Sequence, residues 1–354
     1  GRVIRAAPVE PVRGRSLLSL RTVALDGEDP CHVKLAIDVV TTSARRTVSA
    51  MSVDNGPPLT RLLAAIQRGD PATGAGLWIL GDHAGAGLRP EIAGERAAHL
   101  GVILRSTPER VAAAATGDAC EAWVCAALGE RAPASGRVLL AELASRHASV
   151  DELLARYVAL LVPPALRLLS GHGIALELHL QNSLAVVGPR GLAGFVVRDL
   201  GGLRIHRARL AAAGHTLAFA PGSFIVTDDL AEVRDKLAHT LFHAHLAAIF
   251  RWAEETLGHP ARRGWGLVRA TLERCLDPLL FPEPAREAAS IDRAALLAPR
   301  CRAKALLRMR VDGRISDYAY TEVDNVLAAR EIADEAARLL ARGLPGGPRS
   351  ASLS

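Results

Sequence analysis

Glu177, His179, Gln181 and Asn182 fall in the run HGIALELHLQN, where the polar residues at 177, 179 and 181 alternate with leucines. A second apolar run at 194–197 delivers Arg198 and Asp199 into Leu200-Gly201-Gly202. In a β-strand such alternation points all three polar side chains to one face. An acid, an imidazole, two amides and a second acid on adjacent strands make a poor core, because each buried polar group costs free energy until it finds a partner. They suit a metal and phosphate site: carboxylate and amide oxygens bind Mg²⁺, which keeps several waters and is shared with substrate phosphates. The competing reading is a solvated strand face, which fits any one of these residues better than it fits the set.

A second group of candidates lies near the start of the chain. The stretch 16–25 reads as a strand carrying Ser19, Arg21 and Thr22, and a turn at 26–30 leads to a second strand at 31–40 with Lys34. That strand feeds Thr42, Ser43 and Arg46. Guanidinium forks, hydroxyls and a lysine point charge together suit a polyanion, although the same residues are ordinary on an exposed strand.

The elements that must position these groups are legible in part. Gly56-Pro57-Pro58 closes the opening strand unit, and 59–68 reads as a helix with an apolar face. Apolar runs at 76–80, 99–104 and 122–128 have strand length, and 130–137 is a linker rich in breakers. From 138 the pattern turns helical, with helices at 139–147 and 151–169, the second capped by Ser149 with Glu152 as its box partner. A central hairpin follows, then a long helix or broken pair at 230–257 with Phe242, Leu246, Ile249 and Phe250 on one face. His239 and His243 in it are spaced for one helical turn but lack a carboxylate partner, so they and His245 read as structural or surface residues. Helices at 262–279 and 326–342 and a strand or short helix at 301–311 complete the chain, with 214–224 unassigned. The expectation is an α+β fold: a lead-in at 1–15, a mainly antiparallel β-rich region at 16–137, a helix-rich region with the hairpin at 138–342, and a disordered tail at 343–354.

The bulk composition excludes several classes. The 354 residues carry 43 Lys and Arg against 37 Asp and Glu, a net charge of +6. Lysine occurs only at 34, 236 and 304, and the arginines are dispersed with few aromatics among them, so nucleic acid is not an expected partner. No uncharged apolar run reaches the length of a membrane span, and the apolar stretch 157–169 is interrupted by Pro163, Pro164 and Arg167. The five scattered cysteines have no CxxC spacing, and no signal sequence opens the chain, so reduced thiols and a cytoplasmic location are expected. The first residue is glycine in what reads as running chain, so further residues upstream are expected.

The ordered set resembles the NRPS-independent siderophore (NIS) synthetases of the aerobactin-synthetase, or IucA/IucC, type. Their signature G-I-x-x-E-x-H-x-Q-N followed by R-D-x-x-G is matched at 173–182 and 198–202. S-L-R-T at 19–22, K-L at 34–35, T-S-x-x-R-T at 42–47 and N-G-P at 55–57 fit in order. The resemblance implies a cupped-hand fold of fingers and palm and an ATP-dependent ligase. Such an enzyme adenylates a carboxylic acid of citrate or succinyl type and passes the acyl group to an amine, hydroxylamine or alcohol. It implies that Ser19, Arg21, Thr22, Lys34, Thr42, Ser43, Arg46, His179, Gln181, Asn182 and Asp199 hold ATP, and that Glu177, Asn182 and Asp199 hold Mg²⁺. Arg46, His179 and Lys304 would then act on the carboxylic substrate, in a homodimer. Nothing matches the G-H-P-x-H-P-x-x-K-type motif of the family's additional N-terminal region, and the usual Asn-Pro-Leu near the C-terminus reads Asn325-Val326-Leu327. A truncated member is therefore expected. A kinase-like phosphotransferase is the alternative, opposed by the absence of a G-x-G-x-x-G loop before Lys34; a non-catalytic nucleotide-binding member is the other.

Overall fold

Two hairpins and one long helix set the positions of the candidate residues. The computed structural model describes residues 10–41, 44–216, 219, 223–283, 285–312 and 319–343. A five-stranded, wholly antiparallel sheet runs in the order Gly14–Ser16, Thr22–Leu25, Cys31–Leu35, Val102–Arg105, Asp82–Ala86. The stretch expected as one strand at 16–25 is instead a hairpin, with Gly14 opposite Leu25 and Ser16 opposite Val23. Its turn forms because the Ser19 carbonyl accepts from Thr22 N at 3.0 Å, which brings Ser19 and Arg21 out at the tip rather than along a ladder. Thr22 faces Lys34 directly across the next pair, and His32 faces Arg105.

The helix expected at 59–68 spans Ala50–Gly69 and runs through Pro57 and Pro58. It starts early because Ser49 caps it, accepting from Ser52 N at 3.1 Å. The helix Val150–His172 likewise passes through Pro163 and Pro164, and its Ser149 cap accepts from Glu152 N as the sequence predicts. By length and composition this helix is apolar enough to cross a membrane, but most of it is buried within the protein.

The hairpin Ser183–Gly188 and Gly191–Val197 forms the centre of a four-stranded sheet. Pro189 and Arg190 make its two-residue connection, and Gly191 takes a positive φ of 88° with His147 packed where a Cβ would sit. Leu77–Ile79 adds in parallel on one side and Glu121–Val124 antiparallel on the other, so strands from both sides of residue 137 share this sheet. A third sheet pairs Ile174–Ala175, Arg204–His206 and Val226–Thr227, the last two in parallel. The architecture is a mixed α/β one with several antiparallel sheets. Residues 176–182, expected as strand, form an irregular extended segment and turn. Leu176 and Leu178 are nonetheless buried while Glu177 and His179 face outward, so the alternation survives without a ladder.

The helical expectation at 230–257 holds as a continuous rod: Leu230–Leu237, a π-helical stretch Ala238–Leu246 and Ala247–Leu257. His245, on the π-helical stretch, is fully buried; its Nε2 lies 2.6 Å from the Tyr157 hydroxyl and its Nδ1 2.7 Å from the Leu178 carbonyl. It is a structural pin between the two long helices and the segment that carries Glu177 and His179. The expected helices at 262–279 and 326–342 are Ala261–Cys275 and Arg330–Arg342, and 301–311 divides into the strand Arg300–Lys304 and the helix Leu306–Val311.

Burial lowers the pKa of His245 to about 4. Between pH 6.5 and 4 the unfolded chain therefore takes up a proton that the folded chain refuses, so stability is full above pH 6.5 and falls as pH drops toward 4. The expected loss from this residue is about 3 kcal/mol. Urea unfolding across that pH range checks it: His245→Gln flattens the slope, and an unchanged slope contradicts the assignment.

Candidate active site

A cleft of about 420 Å³ opens between the five-stranded sheet and the segment 177–202. Its lining includes Ser19, Arg21, Lys34 and Arg46 from the N-terminal elements, and Glu177, His179, Gln181, Asn182 and Asp199 from the segments flanking the central hairpin. Residues as far apart in the chain as Lys34 and Asp199, 165 positions, thus line one cleft and are joined there by an ion pair.

Asp199 is the hub. It is the sole non-glycine with a left-handed backbone among the described residues, at φ 65°, a conformation that costs free energy and concentrates at functional sites. Its Oδ1 accepts from Lys34 Nζ and from Arg105 Nη2, the latter at 2.6 Å. Arg105, only 2% exposed, also binds Asp82, so two acids share its fork. Burial alone would raise the pKa of Asp199, but Lys34 and Arg105 outweigh it and hold the carboxyl well below the usual range. Burial pushes the Lys34 amine down, with Asp199 opposing.

Glu177 is the second anion. Lys236, 4% exposed, donates to its Oε1 at 3.2 Å, Asn182 Nδ2 lies 3.4 Å from its Oε2, and His179 Nε2 lies 4.0 Å away. Burial again opposes ionisation, and the Lys236 ammonium overcomes it by charge and hydrogen bond, so Glu177 is held below its ordinary value. Burial dominates at His179 and lowers its pKa, which leaves a neutral imidazole at neutral pH. The turn that brings Asn182 beside Asp199 is closed by Asn182 N donating to His179 O at 2.9 Å and Arg198 N donating to Asn182 O at 3.0 Å.

Most of the sequence-predicted residues converge here, with defined exceptions. Thr22 is buried beneath the turn, its hydroxyl 3.2 Å from Ser19 Oγ, and supports the rim rather than lining it. Lys304 does not line the cleft; it stands behind it, where burial first and then the Lys236 charge lower its pKa to about 8, with Glu177 opposing. Thr42 and Ser43 lie outside the described residues. The sequence reading missed Arg105, Asp82 and Lys236. Arg105 carries a faint signal as a charge ending an apolar run. Lys236 carries a stronger one: in a chain that uses arginine for nearly every cation, all three lysines gather around Glu177 and Asp199. His239 and His243 bind no shared acid, and the described residues hold no cluster of three or more His, Cys, Asp or Glu side chains able to seat a metal.

Gly202 makes room for Glu177: a Cβ there would sit 2.0 Å from Glu177 Oε2, whereas one at Gly201 would meet nothing within 4 Å. Gly202→Ala therefore must displace a carboxylate held by Lys236 and Asn182. It is expected to cost about 1–3 kcal/mol in urea unfolding, while Gly201→Ala stays within about 0.5 kcal/mol of wild type. Equal effects at the two positions would contradict the packing.

Comparison with known proteins adds a lineage to this geometry. Residues 2–130 match the IucA / IucC family, and residues 151–319 match a family described as ferric iron reductase FhuF-like transporter. The chain is 28% identical over 320 residues to staphyloferrin A synthase of Staphylococcus aureus, covering 89% of this chain and 51% of that protein. It is 25% identical over 334 residues to D-ornithine--citrate ligase of the same organism, covering 84% and 48%. Among solved structures, the petrobactin biosynthesis protein AsbB of Bacillus anthracis superposes with a TM-score of 0.74 at 18% identity, over 92% of this chain and 54% of that one. ATP-bound aerobactin synthetase IucA of Klebsiella pneumoniae gives 0.67 at 18% identity, over 89% and 55%. The fold is shared with both, and the chain spans about half the length of the curated relatives it matches.

Proposed function

From the match of residues 2–130 to the IucA / IucC family and the likeness to siderophore synthetases, we propose that this chain is a member of that family and that its cleft activates a carboxylic acid with ATP during siderophore assembly. The observation that carries the reading is the meeting in one cleft of Arg21, Lys34 and Arg46 with Glu177, His179, Asn182 and Asp199. In the proposed reaction a carboxylate oxygen attacks the α-phosphorus, the bond to pyrophosphate breaks, and an acyl-adenylate forms. The nitrogen or oxygen of an amine, hydroxylamine or alcohol then attacks the acyl carbon, loses its proton, and expels AMP. The carboxylic acid is of citrate or succinyl type.

Negative charge grows around the α-phosphorus in that first step, between an anionic carboxylate and departing pyrophosphate. Preorganised cations aimed at such charge are the main catalytic resource, and positioning supplies much of the remainder. In this reading Ser19, Arg21, Lys34 and Gln181 cradle the nucleotide, and the family signature adds Thr42 and Ser43. Arg46 and His179 orient the carboxylic substrate, and the Lys304 charge, outside the lining beside Lys236 and Glu177, adds to its attraction. Mg²⁺ fits the donor set: Glu177 and Asp199 are carboxylates held ionised by their lysine and arginine neighbours, Asn182 adds an amide oxygen, and phosphates and water would supply the other ligands. When bound, the ion would neutralise phosphate charge. The cupped-hand arrangement, with fingers at 16–137 and palm at 138–342, a cytoplasmic location and a homodimer belong to the same proposal.

Release of AMP and pyrophosphate that depends on citrate, or on another di- or tricarboxylic acid, tests the reading. Arg46→Ala and Asp199→Asn are expected to lower it by about 10²–10³-fold. Calorimetry with Mg²⁺ and ATP serves as a second measurement on the same chain. ADP as product, or neither nucleotide binding nor AMP release, would contradict the proposal.

Lys304 gives a pH test. A lysine with its pKa near 8 is charged below that pH and neutral above it, so affinity for an anionic substrate weakens as pH rises through about 8. The KM for the carboxylic acid is expected to climb there by about tenfold per pH unit at most, and Lys304→Arg, which stays charged, to remove the climb. A pH-independent KM in the wild-type chain would exclude Lys304 from substrate binding.

A further inference from the structure

Two cations meet on one oxygen of Asp199, and they differ in their freedom to leave it. Arg105 Nη2 donates to Asp199 Oδ1 at 2.6 Å and its Nε donates to Asp82, with the side chain 1% exposed. A guanidinium gripped by two acids in this way is fixed in place. Lys34 Nζ donates to the same Asp199 oxygen. Its backbone is held on the strand Cys31–Leu35, opposite Thr22 and Ile103, but its ammonium ends a flexible four-carbon stem. Lys34 lines the catalytic cleft and also an adjoining cavity of about 60 Å³ that shares Ser52 and Gly201 with it, whereas Arg105 lines neither. Of the two, Lys34 has room to turn.

Asp199 is open to the cleft, its side chain 21% exposed. A magnesium ion sits about 2.1 Å from a carboxylate oxygen. That places it a few ångströms from an ammonium already on the carboxylate, where like charges repel strongly outside bulk water. Metal and ammonium therefore compete for Asp199. At Glu177 the corresponding lysine, Lys236, is 4% exposed and lies outside the cleft lining, so Lys34 is the cation able to give way. Arg21 and Arg46 line the same cleft, and phosphates held there would receive the displaced ammonium.

We propose that Lys34 is an exchangeable counterion: it covers Asp199 until a magnesium nucleotide enters, then yields that acid to the ion and moves to the phosphates. The inference rests on the magnesium-nucleotide reading of the cleft. Metal alone must evict an ammonium that has no phosphate to move to. Phosphate alone strips Asp199 of one of its two cations. Each ligand therefore prepares the site for the other, a coupling that typically amounts to about 5–150-fold in affinity.

Manganese, a paramagnetic ion that takes the same oxygen donors, tests the exchange when added to the whole chain without nucleotide and followed by loss of the free-ion EPR signal. Wild type is expected to bind it weakly, and Lys34→Met to bind one ion about tenfold tighter. Adding Asp199→Asn to Lys34→Met is expected to abolish the gain. Arg21→Met, which removes a cleft cation whose guanidinium donates to the Thr47 carbonyl, is expected to gain far less. In the wild-type chain α,β-methylene-ATP is expected to tighten manganese about tenfold, beyond what the free nucleotide holds; this arm keeps the test intact if Lys34→Met does not fold. Equal affinities in wild type and Lys34→Met, an equal gain in Arg21→Met, or a gain that survives Asp199→Asn would each overturn the exchange while citrate-dependent AMP release still upheld the cleft reading. No manganese bound even with the nucleotide analogue would overturn both.

Discussion

A part-buried acid that two cations must share is the constraint on which the site depends. Asp199 sits in a strained left-handed turn at the end of the central hairpin, yet its partners Lys34 and Arg105 come from the antiparallel sheet built by the first third of the chain. Removing Asp199 leaves the fully buried Arg105 guanidinium short of an acid, a change that costs up to about 3 kcal/mol, since the cleft side of the set is solvated. The two sheets are therefore bound to each other through the site itself. Glu177 and Lys236 repeat the arrangement on the helical side. Together the pairs keep two carboxylates ionised in a low-dielectric cleft, where each would otherwise tend to take up a proton.

The remainder of the structure holds that charge set in place. His245 ties the long helices to the segment bearing Glu177 through two hydrogen bonds that no solvent competes for. Gly202 clears space for the Glu177 carboxylate, and the 179–182 turn sets the Asn182 amide against that carboxylate. Positive charge from Arg21, Lys34 and Arg46 faces the same space. An anion with several oxygens meets more cation than acid there, and a hard divalent ion meets oxygen donors. On the proposed reading, one cleft would hold both halves of a magnesium nucleotide.

Much of this was legible in the residues. The alternation at 177–181 predicts a common face, and Glu177, His179 and Gln181 share the cleft even though no ladder forms, because burial of Leu176 and Leu178 alone imposes the period of two. The Ser149 cap and the apolar stripe of Phe242, Leu246, Ile249 and Phe250 are local patterns and hold as such. Elements that depend on distant partners were less legible. The hairpin hidden in 16–25 closes through a turn at Ser19 with no glycine or proline to announce it. The proline pair at 57–58 reads as a break, but the helix Ala50–Gly69 runs through it, whereas the pair at 163–164 lies inside a helix that the apolar spacing of 151–169 already predicts. Arg105 and Lys236 gain meaning only from the acids they meet, which no local window displays.

A crystal structure of this chain with an unreactive acyl-adenylate analogue of citrate, in magnesium, bears most directly on the central claim. The account predicts the phosphate mimic in the cleft, bracketed by Arg21, Lys34 and Arg46 on one side and by Glu177, Asn182 and Asp199 on the other. An analogue bound elsewhere, or a cleft in which Lys34 and Asp199 stand apart in separate solvent, would contradict it.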